Sequence, residues 1–167
     1  MTRAVVTGVA GFVGSHVARR LVATGLRVTG VDLVPASAAH RLSDLLDTDL
    51  FDYAAADLGQ GLDHVLPGAT ELWHLAANTD IPRSGWDTEV DIRSSVLGTR
   101  DVLEGMRRHQ VHAIVFPSTG AVYGMAHPPP YREDLGPLLP SSLYAAGKIA
   151  AEALISAYCQ LFGIQAY

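Results

Sequence analysis

The stretch VVTGVAGFVGSH, residues 5–16, holds three glycines, Gly8, Gly11 and Gly14, at intervals of three. An apolar run enters it and a helix-like pattern leaves it. Glycine weakens strand and helix interiors, so three within a dozen residues mark a turn where side chains would be in the way. Outward from this turn, β-rich runs at 4–7, 27–32, 53–56, 71–75 and 113–116 alternate with helical patterns, clearest at 12–24, 88–108 and 142–162. The runs are almost continuously apolar, which predicts strands covered on both faces and hence a parallel sheet. Gly25 predicts the stop of the first helix. Strands alternating with helices through right-handed crossovers predict an α/β doubly wound parallel sheet. The segment 62–66 reads equally as a short helix or an irregular crossover. The stretch HPPPY, 127–131, could serve as a peptide ligand but reads better as a stiff loop within a long connection.

The 167 residues, 49% of them hydrophobic, suit a domain that buries roughly two-thirds of its unfolded surface. A net charge of −5 without clustered Lys and Arg speaks against nucleic acid as a partner. No apolar run approaches the ~18 residues of a membrane span. The single cysteine, Cys159, rules out an internal disulfide and predicts a reducing, cytoplasmic setting. The seven histidines form no ligand cluster, His109 and His112 straddling a helix end, and no metal is expected. Asp44, Asp47, Asp49 and Asp52 read as a solvated loop face.

Gly8 follows a strand and Phe12 opens a helix, the setting in which such glycines let backbone N–H groups face a pyrophosphate. A tight turn without a ligand would satisfy the glycines alone. Asp32 adds to the first reading, because it ends the second strand 18 residues after Gly14. A carboxylate there accepts hydrogen bonds from ribose hydroxyls and repels a 2′-phosphate, which predicts NAD rather than NADP.

The spacing TGxxGxxG and the stretch YAAGK, 144–148, resemble the short-chain dehydrogenase/reductase superfamily, in particular its extended branch of NAD-dependent epimerases and dehydratases. The stretches DL (57–58), HLAAN (74–78), GTRDVLE (98–104) and STGAVYG (118–124) extend the resemblance along the chain. It implies a Rossmann fold and NAD as cofactor. By position, Gly8, Gly11, Phe12, Val13 and Gly14 would lie at the pyrophosphate, Asp32 at the ribose, and Asp57 and Leu58 at the adenine. Leu75, Ala76 and Ala77 would pass beneath the cofactor, although small residues there also suit plain helix–sheet packing. Ser118 is a further implied cofactor contact. Thr119, Tyr144 and Lys148 match the family's catalytic residues, and Tyr123 would touch substrate or simply pack.

The chemistry accounts for these types. A free phenol keeps its proton to about pH 10, so a neighbouring cation is needed for it to act as a base. Residues four apart share a helix face, which sets Lys148 beside Tyr144. Thr119, 25 residues before Tyr144, would hold the substrate hydroxyl. Two departures from the family pattern stand out. Ser95 replaces the usual Asn before VLGT, and Gly120 and Ala121 replace the acidic pair that dehydratases carry. The resemblance therefore implies a UDP-glucose 4-epimerase-like enzyme acting on a nucleotide-sugar through transient oxidation by bound NAD. The alternatives are a net NAD-dependent nucleotide-sugar oxidoreductase or decarboxylase, and a non-catalytic NAD-binding module.

The last helix carries two apolar rows, one through Leu143, Ala146, Ala150, Ala153, Ala157 and Leu161, the other through Ile155, Tyr158 and Phe162. One row can cover the sheet and the other needs a partner. Relatives pair the helices corresponding to 88–108 and 142–162, which implies a homodimer. The family also continues past GIQAY, 163–167, into a lobe that grips the nucleotide-sugar. The expectation is that 1–167 is the NAD-binding domain without that lobe, able to bind NAD but inactive alone.

Overall fold

Six parallel strands stand in the order β3-β2-β1-β4-β5-β6. They are β1 (Arg3–Thr7), β2 (Arg27–Asp32), β3 (Phe51–Ala55), β4 (Glu71–His74), β5 (Ala113–Val115) and β6 (Gln165–Ala166). The computed structural model describes residues 2–125 and 128–167. His127, the first residue of the proline-rich stretch, lies outside the described residues.

Side-chain alternation along β1 divides the core between two faces. Ala4 and Val6 join Val9, Ala18, Val28, Leu42 and Phe51 under α1 (Phe12–Ala23) and the 39–46 segment, which includes the short α2 (Ser43–Leu46). Val5 joins Leu72, Leu103, Met106, Ile114 and Ile155 on the opposite face. That second face is covered by α4 (Gly98–His109) and α5 (Leu143–Phe162). The 62–66 segment is an irregular crossover, not a helix, and buries Leu62, Val65 and Leu66 in the same cluster.

Element boundaries move for local reasons. β4 ends at His74, one residue early, because Leu75 N and Ala76 N donate to the Thr7 hydroxyl at 3.2 Å. Thr24 becomes the cap of α1, and Gly25 follows with φ +85°. The pattern at 88–108 is helical without a gap, but its regularity is interrupted: a turn of α3 (Glu89–Asp91) and a π-helical turn (Ile92–Leu97) precede α4. The wide turn brings the Arg93 carbonyl 3.3 Å from where a Cβ on Gly98 would stand, a crowding that glycine relieves.

Candidate active site

β1 and β4 are neighbours, yet the chain runs on from them towards opposite edges of the sheet, to β2 and to β5. This opens a crevice at their carboxyl ends, the topological switch point where open α/β sheets take ligands. Thr7 and His74 face each other in register there. Gly8 turns out of β1 at φ +67°, and a Cβ on it would lie 2.7 Å from Ala76 N, so only glycine lets the loop lie against the end of β4. A Cβ on Gly14 would stand 2.1 Å from Gly8 O. Gly11 caps α1 in extended conformation with no side-chain hydrogen bond, so its first amides face outward with no side chain across them. Phe12 and Val13 are 67% and 55% exposed at this rim. An uncapped helix start on a glycine-rich loop whose Val9 side chain turns into the core is a cradle that fits a pyrophosphate.

Asp32 ends β2 beside the loop. Its Oδ2 accepts from Ala10 N at 2.9 Å and its Oδ1 from Leu33 N at 2.8 Å, so the carboxylate also holds the glycine loop in place. Its charge, behind the effect of burial, helps push the Tyr53 phenol up to about 12. Asp57 is exposed and accepts from Gly59 N at 2.9 Å, while Leu58 is half-buried against Gly98. Leu75, Ala76 and Ala77 are half-buried along the crevice floor.

The catalytic candidates stand at the same, carboxyl end of the sheet, beyond β5. Ser142 caps α5 by accepting from Ala145 N at 3.2 Å, which sets Tyr144, half-exposed, in the first turn. Lys148, one turn on, is buried; its Nζ donates to Pro117 O at 3.0 Å and lies over the Phe116 ring. Burial holds the ammonium below the usual lysine range, and the Glu152 charge opposes that effect. Ser118 and Thr119 leave β5 immediately beyond Pro117, Ser118 exposed and Thr119 half-buried. Thr119 Oγ1 accepts from Ala121 N at 3.2 Å and starts the turn Gly120–Tyr123, against which α5 packs. Tyr123 packs: its ring stacks on Tyr131 at 4.8 Å.

The structure adds residues to which sequence reasoning gave no role. His74 is wholly buried between Thr7 Oγ1 at 2.9 Å and Thr99 Oγ1 at 3.0 Å. Since the Thr7 oxygen already accepts two amides, its proton goes to His74 Nδ1, and His74 Nε2–H donates to Thr99. Burial, with a smaller effect from the Lys148 charge, holds this imidazole down at about 3. Asp91, also wholly buried, accepts from Asn78 Nδ2 at 3.1 Å and from the Ser84 hydroxyl, pinning the segment that follows β4. A histidine closing an apolar strand was the one sequence signal for the first network. Ser95, at the family's Asn position, is buried with its hydroxyl unpartnered among the described residues. The acids that read as a solvated face include two in ion pairs, Asp44 with Arg19 and Asp52 with Arg27.

A glycine loop at the switch point of a 3-2-1-4-5-6 sheet, with a Tyr–Lys helix packed beyond β5, defines a dinucleotide-binding domain of the dehydrogenase/reductase class. The chain belongs to the NAD dependent epimerase/dehydratase family, whose profile matches residues 4–167. It is 36% identical to UDP-glucose 4-epimerase of Mycolicibacterium smegmatis, across 97% of this chain and 53% of that protein. It is 33% identical to dTDP-glucose 4,6-dehydratase of Streptomyces griseus, across 94% of this chain and 49% of that protein. Among solved structures, UDP-glucose 4-epimerase of Thermus thermophilus in complex with NAD superposes with a TM-score of 0.85 at 32% identity, covering 99% of this chain and 53% of that one. UDP-glucuronic acid 4-epimerase of Bacillus cereus, in complex with UDP-glucuronic acid and NAD, gives 0.89 at 28% identity, covering 99% and 55%. The chain spans about half the length of these relatives.

Proposed function

We propose that this chain is the NAD-binding part of a nucleotide-sugar 4-epimerase acting on UDP-sugars. The observation that carries the reading is that Lys148, buried one turn after Tyr144, is anchored to Pro117 O, two residues before Thr119, at the carboxyl end of the sheet from which the glycine loop also emerges. NAD, when bound, supplies a two-electron acceptor that is regenerated within one turnover. The uncapped start of α1 holds the pyrophosphate, and Asp32 takes ribose hydroxyls with the lone pairs its amide partners leave free. Leu75, Ala76 and Ala77 make a floor low enough for a flat ring. Tyr144 takes the proton from the sugar 4-hydroxyl, Thr119 orients that hydroxyl, and the Lys148 charge favours the negative charge developing on the phenol oxygen.

Gly120 and Ala121 supply no acid or base beside Thr119, which favours epimerisation over loss of water. On α5 the row Leu143, Ala146, Ala150, Ala153, Ala157 and Leu161 is half-exposed or exposed, whereas Ile155 and Tyr158 pack into the core. Together with Leu97, 51% exposed just before α4, this supports a homodimer through the 88–108 and 142–162 regions. The lone, half-buried thiol of Cys159 suits a cytoplasmic setting. The test is interconversion of UDP-glucose and UDP-galactose by a protein containing this chain, with NAD retained and no net NADH. Net NADH formation would make it an oxidoreductase, and NAD binding with no turnover on a UDP-sugar panel a binding module.

A further inference from the structure

One aromatic residue between β5 and α5, Tyr131, has no part in the site described above. Its ring stacks on that of Tyr123, with centroids 4.8 Å apart and planes 16° from parallel. Two anchors fix Tyr123 in turn. Val122 is buried and roots the turn Gly120–Tyr123 in the protein interior. Gly124 follows at φ +59°, and a Cβ on it would run into Leu139 O, so only glycine lets the returning chain cross at this point. Tyr131 nonetheless stays 44% exposed. With one face against Tyr123, it turns an edge to Gly120, where a Cβ would lie 3.9 Å from Cδ2 and 4.0 Å from Cε2. Gly120 puts no side chain between that edge and the residue before it, Thr119. The charges that follow the tyrosine are settled, Arg132 pairing with Asp134 at 2.9 Å. What the ring offers beside Thr119 is a braced apolar wall.

A ring already held by a stack loses little freedom when a ligand covers it. Aromatic rings attract C–H groups that neighbouring oxygens make electropositive, and a pyranose presents such groups on one side of its ring. We infer that Tyr131, braced by Tyr123, is a substrate-binding residue that packs against the C–H face of the sugar whose 4-hydroxyl Thr119 orients. This rests on the 4-epimerase reading above and assigns the loop to the sugar rather than to the nucleotide. The contact uses no hydroxyl of the sugar, so it holds both C4 epimers. Binding of that kind is shared by ground state and transition state, and its loss shows in KM rather than in kcat.

Steady-state kinetics of a protein containing this chain, with UDP-glucose as substrate and UDP as competitive inhibitor, test it. Tyr131→Ala, and Tyr131→Leu with bulk but no ring, are expected to raise KM about tenfold and keep kcat within about threefold. The inhibition constant of UDP and the content of bound NAD stay within about twofold in both. Tyr131→Phe keeps the ring and holds KM within about twofold. An unchanged KM in the Ala and Leu variants overturns the inference and leaves the epimerase reading standing. So does a rise in KM matched by UDP, which would put Tyr131 at the nucleotide, or a fall in kcat alone. A rise in Tyr131→Phe equal to that in Tyr131→Ala overturns it as well, by moving the effect to the phenol oxygen. Absence of turnover on UDP-sugars by the unmodified protein, with NAD bound, overturns the epimerase reading and this inference together.

Discussion

The Lys148 ammonium stands 4.3 Å from the centroid of the Phe116 ring and donates to the carbonyl of the next residue, Pro117, at 3.0 Å. One helix residue is thereby clamped to the end of β5, and Tyr144, a turn earlier, is placed by the same clamp. The arrangement costs stability, since the buried cation has a carbonyl and a ring as partners in place of a carboxylate. Lys148→Met, close in length and without charge, is expected to raise stability by about 1 kcal/mol, or about 2–4 °C in melting temperature. The same variant should weaken NAD binding about tenfold or more. Thermal denaturation paired with titration checks both, and a lower melting temperature would show that the clamp stabilises the fold.

His74 makes a pH prediction. In the unfolded chain the imidazole takes its proton at its ordinary 6.5, whereas in the fold it is held at about 3. Between those values the unfolded chain binds the extra proton, so stability falls as pH drops from 6.5 towards 3. Each unit costs about 1.4 kcal/mol, giving a loss of about 2 kcal/mol by pH 5. Urea midpoints at pH 7 and pH 5 should drop in the unmodified protein and drop less in His74→Gln. Equal losses in the two proteins would place the proton uptake elsewhere.

These residues also show where reading the sequence stops. Gly8, Gly11, Gly14, Tyr144 and Lys148 were legible because a turn or a single helical repeat fixes their geometry within a few residues. The partners that make them a site come from afar. Thr7 meets His74 across 67 positions, Asp32 meets Ala10 across 22, and Lys148 meets Pro117 across 31. No local period encodes those meetings. The π turn within 88–108 was hidden for a related reason: α and π turns carry similar apolar patterns over so short a stretch. What distinguishes them is crowding, at Gly98 against Arg93 and at Gly147, whose absent Cβ would stand 2.9 Å from Ser95 Cβ.

That crowding leads to a third prediction. Ser95 is packed against α5 in the π turn with its hydroxyl unpartnered among the described residues. An unsatisfied buried hydroxyl costs about 1–3 kcal/mol, and its removal to Ala leaves a cavity of one oxygen. Ser95→Ala is therefore expected to stabilise the fold by about 1 kcal/mol, read as a higher urea midpoint with an unchanged slope. A loss of stability would mean that the hydroxyl is hydrogen-bonded in solution, by an ordered water in the place of the longer amide the family carries.

The last prediction concerns Tyr144. Its ring is half-exposed in the first turn of a helix whose start is fixed by Ser142, so the phenol oxygen contributes little to packing. Lys148 lies a turn deeper on the same helix and is held by Phe116 and Pro117 without help from the tyrosine. Tyr144→Phe should accordingly keep the melting temperature and the NAD affinity, the latter within about twofold. In a protein containing this chain that interconverts UDP-sugars, the loss of the proton acceptor should lower kcat by about 10²–10⁴-fold. Thr119→Val is expected to act on the same step by a smaller factor, because it removes one hydrogen bond to the reacting hydroxyl and leaves the base in place. Stopped turnover measured beside NAD titration separates these roles. If Tyr144→Phe lost NAD binding while turnover per bound cofactor stayed intact, the tyrosine would be part of the cofactor's seat and the base would have to be sought elsewhere at this end of the sheet.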